Sequence, residues 1–214
     1  MTFLEFFLQM TAGRPKDLEK RKRILDAAKE LFLECGYDGC SMNKIAQKAD
    51  VTKLTVYNHF QDKDTLFTCA ISETCDSFIN ARPVVLSKES HFLQALQHAC
   101  ELTLNLVNLP EALKMEYLLL ELASQHNPLA QQFYNASHQK LSDLWENFFE
   151  QAVRLNFIRA AAPREHLLLL FSLLLGMRHH EVLMGIRAVP KPEECLQVIH
   201  SGIELFMLRY GTAV

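Results

Sequence analysis

Apolar residues recur at intervals of three and four along most of the chain, and no segment alternates with a period of two, which predicts helices and no sheet. Ile24, Ala28, Leu31, Phe32 and Cys35 form the stripe of a first helix over about 18–35, with Gly36 placed to stop it. Ser41 and Thr52 are capping residues that open two short helices. The first carries Met42, Ile45, Ala46 and Ala49 on one face, and the second turns Val56 and Phe60 inward. Asp62 opens a longer helix to about residue 80, striped by Leu66, Phe67, Ala70 and Ile71. Beyond it, prolines at 83, 110, 128, 163, 190 and 192 divide the chain, because proline fits the first turn of a helix and breaks its interior. Five further helices are predicted near 89–108, 111–125, 128–155, 164–186 and 192–210. The expected architecture is all-α with about nine helices: an arm over 1–17, a small unit over 18–78 and a larger body over 79–214, the boundary running through the fourth helix.

Composition supports the helical body: only 7 of 214 residues are glycine, and 49% are hydrophobic. The longest apolar run, from Leu167 to Met177 with Ser172 inside it, is far short of the roughly 20 residues a membrane span needs. The first ten residues lack the positive start and small-residue cleavage site of a signal peptide. A cytoplasmic protein without a membrane partner is therefore expected. Met10 is a plausible second start, so residues 1–9 are either a spurious leader or a short apolar arm. The six cysteines include no C-x-x-C pair and are expected as small apolar residues in a reducing compartment. Net charge is −3, but it is unevenly spread. Residues 10–60 hold ten Lys/Arg against seven Asp/Glu, while 61–214 hold twelve against seventeen, a basic head on an acidic body.

The informative stretch is SMNKIAQKADVTKLTVYNHF, residues 41–60. Two short helices joined by about three residues cross steeply only if a small side chain sits where they touch, and Ala46 supplies it. Four residues on, the turn needs left-handed backbone angles, which Asp50 tolerates better than most non-glycine residues. Val56, ten residues after Ala46, anchors the second helix, and Val51 closes the same small core. This is helix-turn-helix spacing. The second helix turns Lys53, Leu54, Tyr57 and Asn58 outward, with Thr52 and Thr55 near its start, and these groups suit base edges in a major groove. Lys44, Lys48 and Lys63 are placed to reach phosphates, and GRPK, ending at Lys16, reads as a basic arm. KRKR at 20–23 is equally a solvated helix end.

The run ILDAAKELFLECGYDGCSMNKIAQKADVTKLTVYNHFQDKDTLF resembles the DNA-binding domain of the TetR/AcrR family of bacterial transcription regulators. It departs from that pattern at Asp50, where the family usually has glycine, and at Lys53-Leu54, where small residues are common. The resemblance implies a homodimer on a palindromic DNA operator, usually repressing, and released when a small-molecule inducer bound to the C-terminal body shifts the spacing of the two heads. The candidate DNA-contacting set is Lys16, Ser41, Lys44, Thr52, Lys53, Thr55, Tyr57, Asn58, His59 and Lys63. In the family, residues matching Tyr57 and Lys63 touch phosphates.

The body offers two apolar stripes for pairing, one on the 164–186 helix and one on the last helix. The expected interface set is Leu168, Leu174, Leu175, Leu196, Ile199, Ile203 and Phe206, forming an isologous four-helix contact. A single wholly buried core helix is the alternative. Large apolar residues on the middle helices suggest a pocket for an apolar or amphipathic ligand. Its candidates are Met115, Leu118, Leu122, Phe133, Trp145 and Phe149, with His98, Tyr117, Tyr134 and His138 as polar handles. His179-His180-Glu181 and His126 lack the i, i+4 spacing of a helical chelate, so no metal and no cofactor are expected. There is no phosphate loop, no G-x-S-x-G elbow and no H-E-x-x-H, so no catalytic residue is assigned. The expected function is a ligand-responsive repressor, placed over an efflux or detoxification operon by analogy with the family. A helical protein-interaction module without sequence-specific DNA binding is the second hypothesis, and an enzyme the third.

Overall fold

The computed structural model describes residues 15–80 and 85–212. Among them are eleven helices, α1 (Pro15–Gly39), α2 (Met42–Lys48), α3 (Lys53–Phe60), α4 (Lys63–Asn80), α5 (Phe92–Val107), α6 (Pro110–Ser124), α7 (Leu129–Ala136), α8 (His138–Arg154), α9 (Pro163–Leu174), α10 (Gly176–Leu183) and α11 (Pro192–Tyr210), and no strand. The N-terminal arm, up to residue 14, and the Lys16 side chain lie outside the described residues. The chain divides into two compact units between Glu73 and Thr74, inside α4.

In the first unit, regular α1 geometry is interrupted at Gly36, whose φ of 71° suits glycine. Ser41 caps α2 by accepting from the Lys44 N–H, and Thr52 caps α3 by accepting from the Thr55 N–H. Ile24, Ala28, Phe32, Ile45, Val56, Phe60, Leu66 and Phe67 are buried and make one small core. Phe67 meets the rings of Phe32 and Tyr37 edge-on, at 4.9 and 5.3 Å between centroids.

The second unit packs α9 against α8 and α11, and α5 against α11. Its core centres on Trp145, Phe148, Phe149, Leu170 and Phe206. Trp145 buries its ring and donates its indole N–H to Thr103 Oγ1 at 3.0 Å, which satisfies the polar group that burial would otherwise strand. Pro110, Pro163 and Pro192 stand in the first turns of their helices, where a missing N–H costs nothing.

Two segments expected as single helices are each broken in two, which accounts for eleven helices in place of nine. The 128–155 segment breaks at Ser137 (φ −126°, ψ −82°), whose Oγ donates back to the Phe133 carbonyl at 2.7 Å. The 164–186 segment breaks at Leu175–Gly176, where Gly176 takes a φ of 45°. Neither break is visible in the apolar spacing, which continues through both.

The expected interface set also needs correction. Leu174, Ile199 and Phe206 are 3%, 1% and 0% exposed within the protomer, so they are core residues and not pairing residues. The cause is the close approach of α9 and α11 at Gly202, where an added Cβ would lie 3.2 Å from Leu174 Cδ2. Leu168 and Leu196 are 55% and 47% exposed, and Leu175 and Ile203 are half-buried. The cysteines are free and vary in exposure: Cys40 and Cys100 are buried, whereas Cys35 is exposed.

His166 is fully buried, with Nε2 3.2 Å from the Arg159 carbonyl and no partner for Nδ1 among the described residues. Burial pushes its pKa below the ordinary value of 6.5, so the folded protein holds it neutral. The unfolded chain binds a proton there as pH falls below 6.5, so stability is present above that pH and is lost on the way down to the depressed folded value. The expected loss from this residue approaches about 1.4 kcal/mol per pH unit. Urea unfolding between pH 7.5 and 5 checks it: His166→Gln should flatten the slope, and an unchanged slope would remove His166 as its source.

Candidate nucleic-acid interface

The α2–α3 unit is built as the spacing requires. Ala46 is buried where the helices meet, Asp50 takes a φ of 52° in the turn, and the Val51 N–H closes it by donating to the Ala46 carbonyl at 3.0 Å. Asp50 can stand where glycine is usual because a short polar side chain tolerates left-handed angles. Its carboxylate is exposed and lies 3.6 Å from Arg23 of α1. Val56 and Phe60 hold α3 to the core, so its opposite side faces solvent.

That side carries Lys53, Leu54, Tyr57 and Asn58, all exposed, with Leu54 at 69%. An apolar side chain so exposed on a short polar helix costs solvation unless something covers it, and a thymine methyl is a suitable partner. Lys53 Nζ leans over the Tyr57 ring at 5.7 Å from its centroid. The Thr52 and Thr55 hydroxyls are 2.8 Å apart, and Thr52 also serves as the cap, so this pair shapes the start of α3 as well as facing outward.

Several cations expected at phosphates have partners within the protein. Lys44 Nζ donates to the Gly39 carbonyl at 2.9 Å, and Lys48 pairs with Glu30 and Glu34 at 2.5 and 3.6 Å. His59, only 14% exposed at its side chain, lies 3.2 Å from Asp17 and ties the end of α3 to the start of α1. Lys63 Nζ donates to the carbonyls of Tyr37 and Cys40, at 3.0 and 3.2 Å, and sits 3.9 Å over the Tyr37 ring. Ser41 is exposed, with its hydroxyl accepting the α2 cap bond. Two cations beside this surface lie outside the set expected from sequence: Arg23, paired with Asp50, and Arg21, stacked 4.6 Å over Phe60. Both sit in the KRKR run, whose composition gave no phase.

In the second unit a cavity of about 340 Å³ lies among α5, α9, α10 and α11. None of the ten residues expected from sequence to line a ligand pocket lines this cavity. Leu118, Leu122, Phe133, Trp145 and Phe149 are buried in ordinary packing. His98 and Tyr117 are exposed, and Met115 and Tyr134 are half-buried. His138 stacks on Tyr134 and places Nε2 2.9 Å from Glu116, a pairing that lowers the Glu116 pKa. The cavity instead uses Leu174 and Leu175, expected at the dimer contact, together with Arg178 and Arg187. The two arginines flank the HHEVLMGI stretch, and both line the cavity, Arg178 from α10 and Arg187 from the segment after it. Among the described residues no group of three or more His, Cys, Asp or Glu is placed to hold a metal ion, and no helix is long and apolar enough to cross a membrane.

Residues 24–68 match the family of bacterial regulatory proteins, tetR family, and residues 94–212 match the C-terminal domain of AefR-like transcriptional repressors. The chain belongs to the TetR family. This TetR-family chain is 43% identical over 56 residues to the uncharacterised regulator YdeS of Bacillus subtilis, a match covering 26% of the chain and 28% of YdeS. It is 23% identical over 176 residues to YvkB of the same organism, covering 81% of the chain and 88% of YvkB. A solved TetR-family structure from Mesorhizobium loti superposes with a TM-score of 0.82 at 25% identity, covering 93% of this chain and all of that one. The chain thus spans under two thirds of YdeS, and the similarity there is confined to the head. It is a TetR-family transcriptional regulator with a helix-turn-helix DNA-binding unit, and the relatives it matches are transcriptional regulators.

Proposed function

We propose that the protein is a cytoplasmic homodimeric repressor that holds a palindromic operator through two α3 helices and is released by a small ligand in the second unit. The carrying observation is the outward face of α3, where Lys53, Leu54, Tyr57 and Asn58 stand exposed on a helix held from behind by Val56 and Phe60. Pairing through α9 and α11 is supported by the exposed Leu168 and Leu196. Ile203, seven residues on from Leu196, shares its side of α11. Repression is favoured by the AefR-like repressor match, and an efflux or detoxification operon is proposed as the target by family analogy alone.

Lys53 and Asn58 are assigned to base edges. Fluorescence-anisotropy titration with DNA from the gene's own upstream region tests this against an unrelated duplex of equal length. Lys53→Ala and Asn58→Ala are each expected to weaken specific binding by about 1–3 kcal/mol and to narrow the gap to the unrelated duplex. Equal losses on both duplexes would remove the base-reading assignment. Wild-type binding should also fall steeply with salt, as phosphate contacts release counterions.

A further inference from the structure

The cavity of the second unit has an apolar floor and a cationic wall. Leu104 of α5, Leu174 of α9 and Val182 of α10 supply the floor. On the wall, Arg178 donates to the Leu173 carbonyl at 3.2 Å, and among the described residues no carboxylate lies within ion-pair distance of it. Arg187 meets Glu181 at 3.5 Å in a pair largely open to water, which a ligand can displace at small cost. Glu194 also lines the cavity, but one of its oxygens already accepts the Lys191 N–H at 3.0 Å as part of the α11 capping box. His179 and Cys195 are the remaining titratable groups; burial lowers the His179 pKa and raises that of the Cys195 thiol, so at neutral pH neither adds charge. The wall therefore presents two guanidinium groups, Arg187 paired with Glu181 and Arg178 without an acidic partner among the described residues, beside one lining carboxylate, Glu194, already engaged.

A guanidinium fork above an apolar floor matches a planar or tetrahedral anionic head on a short hydrocarbon body. The cavity volume falls within the range of small-molecule sites. We propose that this cavity is the effector site and that it binds an amphipathic organic anion, with Arg178 and Arg187 on its carboxylate or phosphate head and Leu104, Leu174 and Val182 on its body. The assignment rests on the effector-responsive reading above; of the apolar or amphipathic ligand expected among the middle helices it takes the amphipathic class, gives it an anionic head and places it beside α9 and α11. The position gives a route for coupling. Leu174 and Leu175 line the cavity at the break between α9 and α10, and Cys195 and Val198 line it from α11, so a ligand there touches both α9 and α11, the helices that also carry Leu168 and Leu196. Only a ligand favouring one arrangement of that break shifts DNA affinity.

The full-length protein is titrated with octanoate, octyl phosphate, octanol and octylammonium, following heat release and thermal midpoint. DNA binding is measured by anisotropy in the same samples. Saturable binding of octanoate or octyl phosphate is expected, with octanol and octylammonium at least about tenfold weaker, and the better of the two anions identifies the head group. Arg178→Gln should weaken anion binding by about tenfold or more while wild-type Trp145 fluorescence and helix content persist. Octanol binding as tightly as octanoate, or full anion affinity in Arg178→Gln, would overturn the assignment. Arg178-dependent anion binding with unchanged DNA affinity would leave the site in place and remove induction. DNA release by octanol and octanoate alike would keep the regulator and overturn the anionic ligand class.

Discussion

Phe149→Ala is expected to destabilise the second unit by about 3–5 kcal/mol, the usual cost of emptying a buried aromatic site. Phe149 is 0% exposed, and its ring centroid lies 5.5 Å from Trp145, 5.7 Å from Phe148, 5.5 Å from Phe206 and 5.3 Å from His166. Those neighbours come from α8, α9 and α11, so the cavity left by truncation cannot be closed by moving one helix alone. Leu168→Ala is the matched contrast. Its side chain is more than half exposed, and its removal should change protomer stability by no more than about 0.5 kcal/mol while weakening pairing. Urea unfolding at fixed protein concentration gives the first quantity, and sedimentation equilibrium the second. A cost below about 1 kcal/mol for Phe149→Ala would mean that its pocket is loosely packed and would restore it as a ligand-lining residue. A large stability cost for Leu168→Ala without any change in self-association would take α9 out of the proposed interface.

The contrast marks where the sequence was informative. Helix phase was legible wherever an apolar stripe had a polar counter-face, as on α1 and α4, and the turn was legible because Ala46, Asp50 and Val56 each meet a separate steric demand. On α9 the stretch Leu167 to Leu175 is apolar nearly all round, so spacing alone could not separate the buried Leu174 from the exposed Leu168. The same uniformity hid the break at Leu175–Gly176, which depends on backbone angles that no periodicity records. The cavity was illegible for a different reason. Its wall combines residues from four helices and the segment after α10, and large apolar side chains do not mark a pocket in sequence because they are also the best space fillers. Among the cations, sequence identified the type but not the partner. Lysines near a helix-turn-helix look alike until the carbonyls and carboxylates around them are placed.

Lys63 shows this most sharply, and its replacement by Met is expected to weaken both the head and its grip on DNA. Its ammonium joins the Tyr37 and Cys40 carbonyls, at the end of α1, to the first residue of α4, and it lies against the Tyr37 ring. Tyr37 in turn bonds Asp64, and burial together with that carboxylate keeps its phenol protonated. Losing a charged donor from two partly buried carbonyls costs about 1.5–3 kcal/mol, and the loss of the ring contact adds to it. The segment released leads directly into Ser41 and α2, so the orientation of the helix-turn-helix should loosen and affinity should fall on every DNA sequence. A phosphate contact would have a separate signature: removing it reduces the slope of log affinity against log salt by about one and leaves stability nearly unchanged. The clamp role predicts the reverse, a stability loss of about 1.5–3 kcal/mol with the salt slope preserved. Unfolding curves and anisotropy titrations at several salt concentrations on Lys63→Met separate the two. A reduced slope with unchanged stability would return Lys63 to the phosphate backbone and remove it from the fold.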